Sequence, residues 1–254
     1  MHFFLNNSTQ LSDEATSSKS STFLPKAFRA ALEHMKSEEL LSKYLQKQAK
    51  LHPEEYHEAI QAYVLEKLTD RTGLMRHVSF FDPDNTSTLS FLNVVQGFRD
   101  LGFSAFSAFG MTCLVMGGGV MGTQKLNPPV EEVHKLQHPL FHTAAFNQNQ
   151  SKLNQAHDKL VERLVDQIMM GRDEIEKQDI LAFADEVEKR HPVAGPSKIG
   201  QSILKQLQIL AFTNLQDICG GKLTKKDLMD LYRGTLFYAI AEPDTVAHRV
   251  MAMR

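Results

Sequence analysis

Tryptophan is absent from the 254 residues, and there are only two cysteines, Cys113 and Cys219. That count excludes a disulfide scaffold. An excess of either charge is missing too: 28 Lys and Arg stand against 30 Asp and Glu, a formal net charge of −2. No global basic field recruits nucleic acid or an anionic membrane, so no nucleic-acid partner is expected. Runs of alternating apolar and polar residues, the mark of half-buried strands, do not occur. Nor does an HExxH zinc signature. The opening MHFFLNN is too short and too weakly apolar for a secretory signal. The expected setting is intracellular and reducing, for a protein that is soluble or only peripherally attached to membrane or lipid.

Apolar residues make up 42% of the chain, enough for a sizeable core. Residues 7–22 are rich in Ser, Thr and Asn and read as a leader. Beyond it, apolar residues recur at helical spacing: Phe28, Ala31, Leu32 and Met35, then Leu40, Leu41, Tyr44 and Leu45. Pro53 opens another helix, with Tyr56, Ile60, Tyr63, Val64 and Leu68 on one face. Residues 152–170 read as a helix through Leu153, Leu160, Leu164 and Ile168, and residues 201–215 as a further apolar helix. Pro192, Gly195, Pro196 and Gly200 mark 191–200 as a loop. The class is mainly α.

Residues 101–122 carry no charge and are long enough to span a bilayer, yet they hold six glycines, three of them consecutive. A spanning helix, a membrane-dipping segment and a buried helix all accommodate such a run. The buried helix is the leading reading, because small residues suit the close approach of another group.

A short pattern recurs three times. An aliphatic residue (Leu89, Ile175, Leu223) precedes a helix-starting residue (Ser90, Glu176, Thr224), and Asn93, Asp179 or Asp227 follows three positions later. The same pattern describes the second half of an EF-hand, in which an aliphatic residue at loop position 8 precedes an oxygen ligand at position 12. The expected architecture is an EF-hand-derived helical fold with degenerate EF-like loops near 82–93 and 216–227. In the first loop the calcium-ligand positions fall on Asp82, Asp84, Thr86 and Asn93. The turn glycine and the bidentate glutamate are replaced by Ser87 and Asn93. A metal-free structural loop is the favoured reading, with calcium as the alternative.

With 11 histidines, metal or haem ligation is worth testing. His77 opens the segment HVSFFDPD, and QGFRDLGF from Gln96 follows. By residue type alone, His77 reads as a hydrogen-bonded core or cap residue. Arg99 serves equally as an ion-pair partner, a cap or a stabiliser of developing negative charge. His134, His138 and His142 are four residues apart, and Pro139 argues against one helix through all three. Cys113 reads as an inert small hydrophobe in its apolar run.

The two segments together resemble the caleosins, also called plant-type peroxygenases. His77, Val78, Phe80, Phe81, Asp82 and Asp84 match the family's histidine-containing entry to its EF-hand. Gly97, Phe98, Arg99, Leu101, Gly102 and Phe103 match the segment after it. PPVEEVHKLQH from Pro128 and GKLTKKDLMDLYRGTLF from Gly221 agree more loosely. The resemblance divides the chain into a leader (1–24), an N-terminal helical segment (25–73) and a caleosin-like domain (74–254). It implies a haem-dependent peroxygenase that moves one oxygen atom from a fatty-acid hydroperoxide to a small apolar or unsaturated acceptor. The cofactor would be haem b. His77 and His138 would be the haem-side residues, one ligating the iron and the other distal, with Arg99 as catalytic support. The alternative is a non-catalytic lipid- or protein-binding module on the same scaffold. Under either reading, 101–122 is the candidate for any peripheral contact with lipid or membrane.

Overall fold

In a computed structural model of the chain, the structure describes residues 25–135, 155–176, 178–179, 182 and 212–254. The leader, the 191–200 loop, most of 201–215 and His138 lie outside them.

Three helices come first: α1 (Lys26–His34), α2 (Glu38–Leu51) and α3 (Pro53–Lys67). The periodic run that the sequence shows across 28–45 is broken at Ser37. Its side chain accepts the Leu40 N–H and starts α2 afresh, with Glu38 and Glu39 in the first turn. Phe28, Ala31, Leu32, Leu41 and Leu45 are buried, as is the whole expected face of the third helix, whereas Leu40 is exposed. Pro53 stands at the first position of α3, where a missing N–H costs nothing.

The middle of the chain forms α4 (Gly73–Ser79), α5 (Phe91–Asp100), α6 (Ala105–Thr123) and a 3-10 helix (Val130–Lys135). Thr72, Ser90 and Ser104 cap the three α-helices through their side-chain oxygens. Next come α7 (Gln155–Met169), strand β1 (Glu174–Ile175), helical residues 212–218 and strand β2 (Leu223–Thr224). Helices α8 (Lys225–Arg233), α9 (Leu236–Ile240) and α10 (Pro243–Ala252) complete the order. Helix α7 buries Val161, Val165 and Ile168, so of the expected stripe Ile168 is among its buried positions. The protein is mainly helical, as expected.

The three-fold repeat has a structural meaning. Strands β1 and β2 pair antiparallel with Ile175 opposite Leu223, the aliphatic residues of the second and third copies. Leu89 of the first copy donates its N–H to the Pro128 carbonyl (2.9 Å), and Val130 returns a bond to Ser87 (3.0 Å). Thr224 and Asp227 form a complete capping box.

Helix α10 lies along α2, α5 packs on α6, and α8 packs on both α4 and α7. The Arg254 guanidinium donates to the carbonyls of Ala31, Leu32 and Met35, closing off the end of α1.

Candidate functional site

His77 lies in the last turn of α4, half-buried; the 234–237 stretch meets it directly, and the 97–103 stretch reaches it through Phe81. Its ring packs on Phe237 of α9, with centroids 4.4 Å apart, and meets Phe81 edge-on at 6.3 Å. Phe81 in turn packs at a tilt on Phe98 (4.7 Å), and Phe98 meets Phe103 edge-on (5.1 Å).

Two glycines permit this assembly. A Cβ at Gly97 would stand 2.5 Å from the Phe81 ring, so the glycine is the seat on which that ring rests. Gly234 has φ +79°, and a Cβ there would meet the Gly73 carbonyl oxygen at 2.3 Å and the His77 nitrogen at 2.7 Å. The backbone of the Gly234 turn therefore lies directly on the backbone of α4. Arg76, almost wholly buried, fastens the two together: its Nε donates to the Arg233 carbonyl at 2.7 Å, and its Nη1 to the Arg71 carbonyl.

Burial pushes the His77 imidazole down from its ordinary value of 6.5 to about 4. The ring is therefore neutral at physiological pH. Neutral imidazole is the form that binds metals and accepts protons. Arg99 is exposed and donates to the Phe103 carbonyl at 2.7 Å, in the turn that follows α5. The position of His134 on the 3-10 helix is described, but its side chain is not, and His138 lies outside the described residues.

The first EF-like loop is closed by its own donors. Asp82, buried, accepts the Thr86 N–H (2.9 Å), the Thr86 hydroxyl (2.8 Å) and the Ser87 N–H (2.7 Å). Asp84 faces His248 at 3.5 Å, and His248 also reaches Glu38 at 3.2 Å. The backbone N–H of Asn93 is bonded to the Ser90 hydroxyl. Behind the loop lies a cavity of about 10 Å³ lined by Arg71, Ser79, Asp82, Asn85 and Arg249, with room for about one water. Among the described residues no group of three or more His, Cys, Asp or Glu could hold a metal ion.

Helix α6 is apolar on both sides. Ala108, Met111, Thr112 and Met116 are buried. Opposite them Phe106 is 89% exposed and Phe109 55%, while Gly110 and Gly117 face open space. Leu92 of α5 extends this surface, and Phe91 reaches the Phe109 ring at 5.7 Å. No helix of the described residues is long and apolar enough to cross a membrane, which removes the spanning reading of 101–122. Cys113, which the sequence reads as an inert small hydrophobe, is exposed on this outer face. Cys219 is partly buried, and its thiol is pushed up to about 12.

Sequence reasoning missed Arg249. Its guanidinium is buried, donates to the Phe80 carbonyl (2.9 Å) and to Asp100 (2.8 Å), and sits 4.1 Å from the centroid of the Phe80 ring. The available signal was helical spacing: Arg249 lies three residues after Val246 and beside Val250, both buried.

The family profile of the caleosin-related proteins matches residues 69–241. The chain belongs to that family. The matched span contains the HVSFFD segment, the GFRDLGF segment and the GTLF turn that meet around His77. No curated protein and no solved structure matches the chain.

Proposed function

We propose that the protein is a haem-dependent peroxygenase that takes a fatty-acid hydroperoxide and works at a lipid surface. The observation that carries this reading is the packing of the family segments around His77: Phe237 lies on its ring, and Phe81, seated on Gly97 and Phe98, meets its edge. The donor chemistry is that of haem b: an uncharged imidazole is a standard iron ligand. Haem bound there would supply cleavage of a hydroperoxide O–O bond and transfer of one oxygen atom to an acceptor.

The protein's own part follows from its residues. Phe237, Phe81 and the Gly234 turn hold the His77 ring in one orientation, which lowers the cost of engaging a ligand. With haem bound, one of His77 and His138 would hold the iron and the other would take the hydroperoxide proton and return it, ordinary acid–base work for imidazole. Arg99, already bonded to the Phe103 carbonyl, stands second to the histidines as a stabiliser of negative charge.

The lipid side rests on α6. A helix that is apolar all round is normally covered all round. Here the outer face presents Phe106, Phe109 and Leu92. Acyl chains are the covering that also brings the substrate, so peripheral attachment through 101–122 and oxygen transfer serve one purpose.

The test is titration with haemin, followed in the Soret region, for the wild type, His77→Ala and His138→Ala. A saturable band that shifts or disappears in a variant supports the reading, and hydroperoxide-dependent oxidation of an unsaturated fatty acid by the loaded protein completes it. A wild type with no specific band leaves the binding module in its place.

A further inference from the structure

The pairing of the repeats exposes a loop that the sequence pattern hides. Ile175 and Leu223 are both loop position 8, and they lie opposite each other. Leu89, the first copy's position 8, donates to Pro128 (2.9 Å), and the isolated bridge pairs Thr88 with Pro129. By that register Pro128 is position 8 of another EF-like loop, residues 121–132, running from the end of α6 into the 3-10 helix. Proline has no N–H, so this pair makes one bond where two are usual. The helical units thus form two couples, 82–93 with 121–132 and 168–179 with 216–227.

The new loop and the second repeat share a feature. In 121–132, position 5 is Lys125 and position 12 is Glu132, and the ammonium and carboxylate are 2.5 Å apart. In 168–179, position 5 is Arg172 and position 12 is Asp179, again a direct ion pair. Positions 5 and 12 supply two ligands of a bound calcium ion. Here one supplies the charge and the other the ligand. We infer that in these two loops a side-chain cation stands in for the calcium ion, joining the middle of each loop to its last position and closing it to a dication.

The other two loops are closed with neutral donors. Asp82 at position 1 is bonded to Thr86 and Ser87. In 216–227, Gln216 at position 1 donates to the Gly221 carbonyl (2.5 Å), while Asp227 at position 12 accepts the Thr224 N–H (2.9 Å). Calcium therefore does not fit these loops: the position-12 carboxylates of three are already bonded, and the fourth has Asn93. The scaffold keeps EF-hand pairing and has exchanged ion-dependent closure for constitutive closure. This stands independently of haem or peroxygenase activity.

The experiment uses the full chain, stripped of divalent ions, with and without about 1 mM calcium chloride. Calorimetric titration of the wild type is expected to show no saturable heat, and its thermal midpoint to stay within about 1 °C. In Lys125→Asp two carboxylates face each other; the midpoint falls without calcium and recovers with it. Arg172→Gln lowers the midpoint and Arg172→Lys restores it, which separates charge from side-chain volume. A wild type that binds calcium saturably overturns the inference. So does a Lys125→Asp variant as stable as the wild type and blind to calcium, or an Arg172→Lys variant no better than Arg172→Gln.

Discussion

Gly234→Ala tests the contact on which the His77 site depends. The added methyl group has two costs. Gly234 has φ +79°, and a left-handed backbone costs a residue with a Cβ about 1 kcal/mol. The Cβ would also stand 2.3 Å from the Gly73 oxygen, 2.7 Å from the Arg76 Cβ and 2.7 Å from the His77 nitrogen. Two of these are backbone atoms, so no flexible side chain can swing away. Helix α4 must lift off the turn, against the Arg76 bonds to the Arg233 and Arg71 carbonyls. Overpacking of this kind costs about 1–3 kcal/mol. The total is about 2–4 kcal/mol, which for a chain of this size lowers the melting temperature by about 4–16 °C. Thermal unfolding followed by circular dichroism at about 222 nm, on the α-helical signal, reads it directly. Gly102→Ala is the control: its φ is +88° and no atom lies within 4 Å of the added Cβ, so it bears the backbone cost alone. If Gly234→Ala melts within a degree or two of Gly102→Ala, the close approach of turn and helix is not a constraint, and the description of the site is wrong.

Further predictions follow from burial and charge. The folded His77 titrates at about 4 against an ordinary 6.5, so its neutral form favours the fold fully above about 6.5, and that contribution is lost as pH falls towards 4. In the cofactor-free protein this amounts to up to about 3 kcal/mol, and urea unfolding of His77→Leu should show a correspondingly flatter pH profile across that window. Arg249→Met leaves Asp100 without its buried partner and should lower the urea-derived stability by about 3–5 kcal/mol; a loss below about 1 kcal/mol contradicts the buried pair. Phe106→Ser with Phe109→Ser should leave stability within about 0.5 kcal/mol, both rings being exposed. The same pair should sharply reduce recovery of the protein with phospholipid vesicles in flotation, and unchanged flotation would remove α6 as the lipid contact.

The sequence displayed local features well and meetings between distant ones poorly. Helical faces such as that of α3 were legible because burial repeats with the helical period. The EF-like repeat was legible because its cap and its aliphatic residue are adjacent in sequence. The 121–132 loop was not, because Pro128 occupies the aliphatic position and Lys125 a ligand position, so only its pairing with Leu89 discloses it. His77 stood out through the resemblance, and its neutrality is a product of packing by Phe237, 160 residues later. The exposure of Phe106 and Cys113 could not be read from α6, whose two faces are equally apolar.

The fastening of α10 to the first helices has a consequence for synthesis. Asp244 bonds to Ser42 and Gln46, and Arg254 to the end of α1, across some 200 residues of chain. Helices α1 to α3 leave the ribosome well before α10, yet α10 supplies part of the surface against which α2 packs. At usual elongation rates that interval is about 10–40 s, a period in which an incomplete apolar face is open to chaperones or to other nascent chains. Slowing translation downstream of α3 should therefore lower the soluble yield, while pre-supplied α10 peptide should raise it.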